Sequence, residues 1–120
     1  MATIKLKFNL SDADFEGIMD MAGYGIAYWA RYMEPARRGY TIMDSMKTKL
    51  ETGEKVRIKK TITRARTERA VVELFTERKL NRYYMSAIDN LVINNCCADV
   101  GSDIADAIVQ QAMFGDVVYG

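Results

Sequence analysis

The sequence contains no histidine, only one proline and only two cysteines. Each scarcity excludes something. Without histidine the chain lacks the commonest general base and the commonest metal ligand. A Ser–His or Cys–His nucleophile is excluded within one chain. The cysteines, Cys96 and Cys97, are neighbours. Cα atoms about 3.8 Å apart do not suit disulfide geometry. Two reduced thiols are expected, one of them buried, which suits a reducing compartment. No apolar run approaches the roughly 20 residues that a membrane span needs. The first residues, Met1-Ala2-Thr3-Ile4-Lys5, read as a strand and not as a signal peptide. A cytoplasmic protein is expected, with no membrane partner, no metal and no cofactor.

What is present is ordinary in amount and uneven in distribution. The 120 residues, 49% hydrophobic and 28% charged, fit one domain with one core. Net charge is +1. Residues 31–66 nevertheless carry eleven Lys and Arg against four acids, a local balance of +7. After Arg82 there is no Lys or Arg, and five Asp remain. The basic stretch is either a solvated face or the lining of a site for phosphates, which arginine forks match. The near-neutral balance argues against a strong nucleic-acid binder.

Periodicity predicts the elements. Ile4, Leu6, Phe8 and Leu10 alternate with polar residues, predicting a half-buried strand over 3–10. Ser11 suits an N-cap for a helix over about 12–22, with Phe15, Ile18, Met19 and Ala22 on its buried side. Gly23 and Gly25 should break or bend that helix. The aromatic run Ile26–Met33 then reads as a strand, with a continued helix as the competing reading, ended by Glu34-Pro35. Residues 36–39 form a basic loop and Tyr40–Asp44 a strand. The turn Thr52-Gly53-Glu54 predicts a hairpin between 49–51 and 55–58, and 61–63 begins the next element. Thr67 and Ser86 are expected to cap two further helices. A last helix starts near Ser102 or Asp103, buries Ile104, Ala105, Ile108 and Ala112, and stops at Gly115. Asp103, Asp106 and Gln110 share another of its faces. Residues 116–120 dock as a strand or pack on the aromatic segment. The class is α+β: a single domain, with three to four helices on an antiparallel or mixed sheet.

Candidate site residues come from the aromatic and arginine-rich segment and from the last helix. A nucleotide site needs an aromatic face for the base and Arg or Lys for the phosphates. Tyr24, Tyr28, Trp29 and Tyr32 lie close in sequence to Arg31, Arg37 and Arg38. Each has a plainer role: Trp29 as core, Arg37-Arg38 as a solvated turn. Asp106 and Gln110 read equally as ligand contacts or as ties from the last helix to nearby backbone. Asp103 and Asp106 alone are too few for a metal site.

Two segments add a resemblance. Gly23-Tyr24-Gly25-Ile26-Ala27-Tyr28-Trp29 resembles a glycine-rich turn followed by Tyr-Trp in a family of small tailed-phage proteins. Residues 105–120 resemble that family's C-terminal signature: Ala105-Asp106, then Gln110, then Phe114-Gly115-Asp116, two aliphatics and Tyr119-Gly120. The resemblance covers both ends and leaves the basic middle unmatched. It implies a phage origin and no assigned activity. Small phage proteins without catalytic signatures are often inhibitors of host defence. The expectation drawn by association is a non-enzymatic homo-oligomer in the host cytoplasm that sequesters a phosphorylated, nucleotide-type immune signal. An inhibitor or adaptor that binds a host protein is the alternative, and an enzyme using Asp, Tyr or Lys ranks last.

Overall fold

The computed structural model describes residues 8–45, 48–49, 52–53 and 55–119. In chain order the elements are α1 (Asp12–Gly25), β1 (Ala30–Ala36), β2 (Gly39–Asp44), β3 (Thr48–Lys49), β4 (Lys55–Val56), β5 (Lys59–Thr63), α2 (Arg64–Glu77), α3 (Arg82–Asn94) and α4 (Ser102–Phe114). Strands β1, β2 and β5 form an antiparallel sheet in the order β1-β2-β5, and β3 pairs with β4 in a separate antiparallel ribbon. The α+β class is as expected, with an antiparallel sheet and four helices.

Helix α4 is the centre of the molecule. It packs against α1, α2 and β5. Every residue from Ile104 to Met113 is buried, including Asp106, Gln110 and Gln111. A helix buried all round must satisfy its polar side chains inside the protein. This requirement shapes the site described below. Trp29, Ile42, Ile62, Leu74 and Ile88 belong to the surrounding core.

Helix α1 is capped by Ser11, whose Oγ accepts from the Asp14 amide, and buries Phe15, Ile18, Met19 and Ala22 as the spacing predicts. It runs three residues further than expected, through both glycines. Gly23 is simply tolerated, since an interior glycine costs a helix only about 1 kcal/mol. Gly25 has a steric role. A Cβ there would lie 2.1 Å from the Ser102 carbonyl oxygen, so its bare backbone lets the end of α1 touch the start of α4.

The aromatic run is not one strand. Ile26 caps α1, residues 27–29 turn, and β1 begins only at Ala30. Pro35 does not end β1, because β1 is an edge strand where a missing N–H is tolerated. The expected basic loop is a tight turn in which only Arg37 and Arg38 separate the paired residues Ala36 and Gly39. Arg31 is the extra residue of a β-bulge between the pairs Ala30–Asp44 and Tyr32–Met43.

Two expected caps are displaced. Thr63, the last residue of β5, caps α2 by accepting from the Arg66 amide. Thr67 lies one turn later, is buried, and donates back to the Thr63 carbonyl at 2.9 Å. Asn81 caps α3, and Ser86 lies inside that helix. In both cases an earlier residue with a suitable oxygen precedes the apolar stripe, and capping depends only on that local geometry. The predicted hairpin forms as β3–β4, although Leu50, Glu51 and Glu54 of it fall outside the described residues. The predicted strand over 3–10 falls mostly outside them too. Its described part, residues 8–10, is in no sheet. Instead, side chains of α2 take its backbone groups: Leu10 N–H donates to Glu68 Oε1 and its carbonyl accepts from Arg64. Phe8 and Leu10 are buried and Asn9 is exposed, as the alternation predicts.

Candidate functional site

One polar network links the first turn after α1, the middle of α4 and the C-terminal tail. The turn at 27–29 carries Tyr28 and Trp29 toward α4. Trp29 is 1% exposed and donates its indole N–H to Asp106 Oδ1 at 2.6 Å. Tyr28 donates its hydroxyl to Asp106 Oδ2 at 2.7 Å. Gln110, one turn on, donates from Nε2 to Asp106 Oδ1 at 2.9 Å. Its Oε1 accepts from the backbone amides of Val118 and Tyr119, both at 2.7 Å, and Nε2 also reaches the Tyr119 carbonyl at 3.2 Å. The buried amide thus stands in for a strand partner to the tail.

The tail is also held by rings. Tyr119 stacks on Trp29 with centroids 5.7 Å apart at 18°, and Phe114 meets Trp29 edge-on at 5.5 Å. The Tyr119 hydroxyl donates to Asp44 Oδ2 at 2.8 Å. Residues 116–119 therefore pack on the aromatic segment, the second of the two expected arrangements. Burial, and after it the hydrogen bond to Asp44, push the Tyr119 hydroxyl up to about 12. The same pair of causes, with Asp106 as acceptor, pushes Tyr28 up to about 12.

Above this network lies a cleft of about 510 Å³, within the usual range for small-ligand sites. Tyr24, Tyr28 and Tyr84 line it with Asp103, Asp106 and Gln110. Tyr24 is 81% exposed, leaving its ring open to solvent. Of the eight residues singled out from sequence, Tyr24, Tyr28, Asp106 and Gln110 meet at this cleft, and Trp29 lies buried beneath them. The arginines do not join them. Arg31 lines a separate cleft beside Asp20 and Tyr32, Arg38 lines another beside Glu16 and Arg64, and Arg37 is exposed in the β1–β2 turn. Tyr84 was missed by sequence reasoning. Its helical spacing marks no binding role, and only the tertiary fold sets it beside Asp103 and Asp106 at the cleft.

The chemistry open to the cleft is recognition by ring faces and by acceptors. Asp106 already accepts three hydrogen bonds, and both ends of the Gln110 amide are engaged. Asp103 at the rim is exposed. Among the described residues no group of three or more Cys, Asp or Glu is arranged to hold a metal ion. None of the helices described is long and apolar enough to cross a membrane. Both thiols are half-buried, and burial raises the Cys97 thiol above its ordinary range, which disfavours the reactive thiolate. Compared with known protein families, with curated proteins and with solved structures, the chain matches none.

Proposed function

We propose that this protein binds a small nucleotide-type ligand and withholds it without chemical change, seating the nucleoside half in the tyrosine cleft. The observation that carries this reading is the meeting of Tyr24, Tyr28 and Tyr84 over Asp103, Asp106 and Gln110 in one cleft. Aromatic faces suit a base, and the exposed Asp103 carboxylate at the rim suits ribose hydroxyls and exocyclic amines. Among the described residues no Lys or Arg lines the cleft, so the phosphates of such a ligand lie outside it. The biological role that goes with the phage resemblance is that of a cytoplasmic homo-oligomeric sponge for a nucleotide immune signal.

Thermal shift and calorimetry with cyclic dinucleotides, ADP-ribose derivatives and simple nucleosides test the proposal. Tyr24→Ala removes an exposed ring and should weaken binding about tenfold, as loss of a base-stacking partner does. No shift at concentrations that saturate a micromolar site sinks the reading. Chromatographic turnover of a bound ligand would replace it with an enzymatic one.

A second reading is favoured by a specific surface. Met21 and Tyr83 line one cleft together and are exposed, at 36% and 68%. Large apolar and aromatic groups are typical anchors of protein interfaces. An inhibitor or adaptor that binds a host protein would use this face.

A further inference from the structure

A second cleft, of about 470 Å³, lies beside α4 where β5 runs into α2. It is not part of the tyrosine cleft, and the two share no lining residue. Lys60 of β5 and Arg66 and Arg69 of α2 line it, and Thr63 places the N-terminus of α2 at the same spot. Arg66 and Arg69 are exposed and Lys60 is half-buried. Among the described residues, none of the three is in a salt bridge. Three cations and the positive end of a 14-residue helix form an anion-attracting region.

The cleft also has an acceptor side. Arg66, Arg69 and Glu73 stand at i, i+3 and i+7, so they share one face of α2, with cations toward its start and the carboxylate further along. Gln111 of α4 lines the same cleft. It is 2% exposed, and its Nε2 donates to the Gly115 carbonyl at 3.2 Å. Its Oε1 is buried and has no hydrogen-bond partner among the described residues. A buried carbonyl oxygen without a donor is unfavourable and calls for a partner. Lys60, Arg66 and Arg69 can only donate, yet none of them is hydrogen-bonded to Gln111 Oε1, which still needs a donor.

We infer that this cleft binds a small phosphate ester that also carries hydroxyl groups. The phosphate meets Lys60, Arg66 and Arg69, and a hydroxyl donates to Gln111 Oε1. A bare anion would satisfy the cations and leave Gln111 unpaired. A neutral polyol would do the reverse. The inference does not rest on the tyrosine cleft.

Calorimetric titration of the full chain tests it with three probes: glycerol 3-phosphate, inorganic phosphate and glycerol. Glycerol 3-phosphate should bind most tightly, inorganic phosphate more weakly, and glycerol not at all. The double variant Arg66→Gln, Arg69→Gln alters two exposed side chains and should weaken glycerol 3-phosphate about tenfold or more, as loss of charge-assisted hydrogen bonds does. Gln111→Met should remove the preference for the ester over inorganic phosphate. If Gln111→Met unfolds the chain, the same preference read on wild type by chemical shifts of the Gln111 side-chain amide serves instead. Tyr24→Ala should leave all three titrations unchanged, which separates this site from the tyrosine cleft. Absence of glycerol 3-phosphate binding at millimolar concentration overturns the inference. So does equal affinity for the ester and inorganic phosphate, unchanged affinity in the double arginine variant, or binding of a single-stranded oligonucleotide with no binding of the small ester.

Discussion

Trp29 and Asp106, 77 residues apart in sequence, are joined by a 2.6 Å hydrogen bond between the indole N–H and a carboxylate oxygen. Both are buried. This bond fastens the turn after α1 to the central helix. The opposite oxygen of the same carboxylate holds Tyr28. Asp106→Ala would leave the Trp29 and Gln110 donors facing a void. We expect it to destabilise the protein by about 3 kcal/mol, as removal of a charged partner from a buried network does. Asp106→Asn keeps one acceptor oxygen and should lose less. Urea unfolding monitored by Trp29 fluorescence measures both. Equal stability of Asp106→Ala and wild type would mean that the network is incidental.

Gln110 is the clasp of the tail. Its Oε1 takes the amides of Val118 and Tyr119. Gln110→Leu keeps the volume and removes the acceptor. Hydrogen exchange at those two amides should accelerate at least tenfold, and the stacking of Tyr119 on Trp29 should loosen. Helix α4 should stay helical, since its intrahelical bonds are untouched. Exchange rates read residue by residue decide this, and unchanged protection at 118 and 119 would contradict the clasp.

Three tyrosines set an alkaline limit. Tyr28, Tyr40 and Tyr119 each rise from an ordinary value of 10.0 to about 12. Burial leads for Tyr28 and Tyr119, and the hydrogen bond to Glu16 leads for Tyr40. The folded state keeps protons that the unfolded chain releases above its own value. The stabilisation is therefore complete below pH 10.0 and is lost as pH rises toward about 12. Melting temperature against pH should be flat on this account below 10.0 and then fall. The double variant Tyr28→Phe, Tyr119→Phe should show a shallower fall, and an unchanged slope would assign the loss to other groups.

The two glycines near the end of α1 should respond oppositely to alanine. At Gly25 a Cβ would meet the Ser102 carbonyl at 2.1 Å. Backbone must move, and overpacking of this kind costs about 1–3 kcal/mol. At Gly23 a Cβ would meet nothing within 4 Å. Gly23→Ala should stabilise by about 0.4–1 kcal/mol, because the residue is helical and the unfolded chain loses freedom. Thermal melts of the two single variants settle the sign of each.

Much of the local structure was legible from residue order. Ser11 with Phe15, Ile18, Met19 and Ala22 marks α1, and Ile104, Ala105, Ile108 and Ala112 with Gly115 mark α4. Expectation and structure differ where two local signals compete. Gly23 and Gly25 favour a break, but α1 runs through them to meet α4. Thr67 and Ser86 have cap chemistry, but Thr63 and Asn81 precede them with the same chemistry. Half of the candidate residues meet at one cleft. The arginines part from them because the β1–β2 hairpin carries Arg31, Arg37 and Arg38 away from α4.

The sequence by itself determined the α+β class, the absence of histidine chemistry, the extent of α4 and the stop at Gly115. These follow from periodicity, capping and backbone preference, which act within a turn or two of the chain. Only the tertiary structure decided that Trp29 faces Asp106, that Gln110 clasps the tail, that Tyr84 joins the tyrosine cleft, and that Gln111 Oε1 has no donor among the described residues beside Lys60, Arg66 and Arg69. Most of those relationships join residues far apart in sequence. They arise because α4 is buried on every side, so its polar groups meet whatever element packs against it.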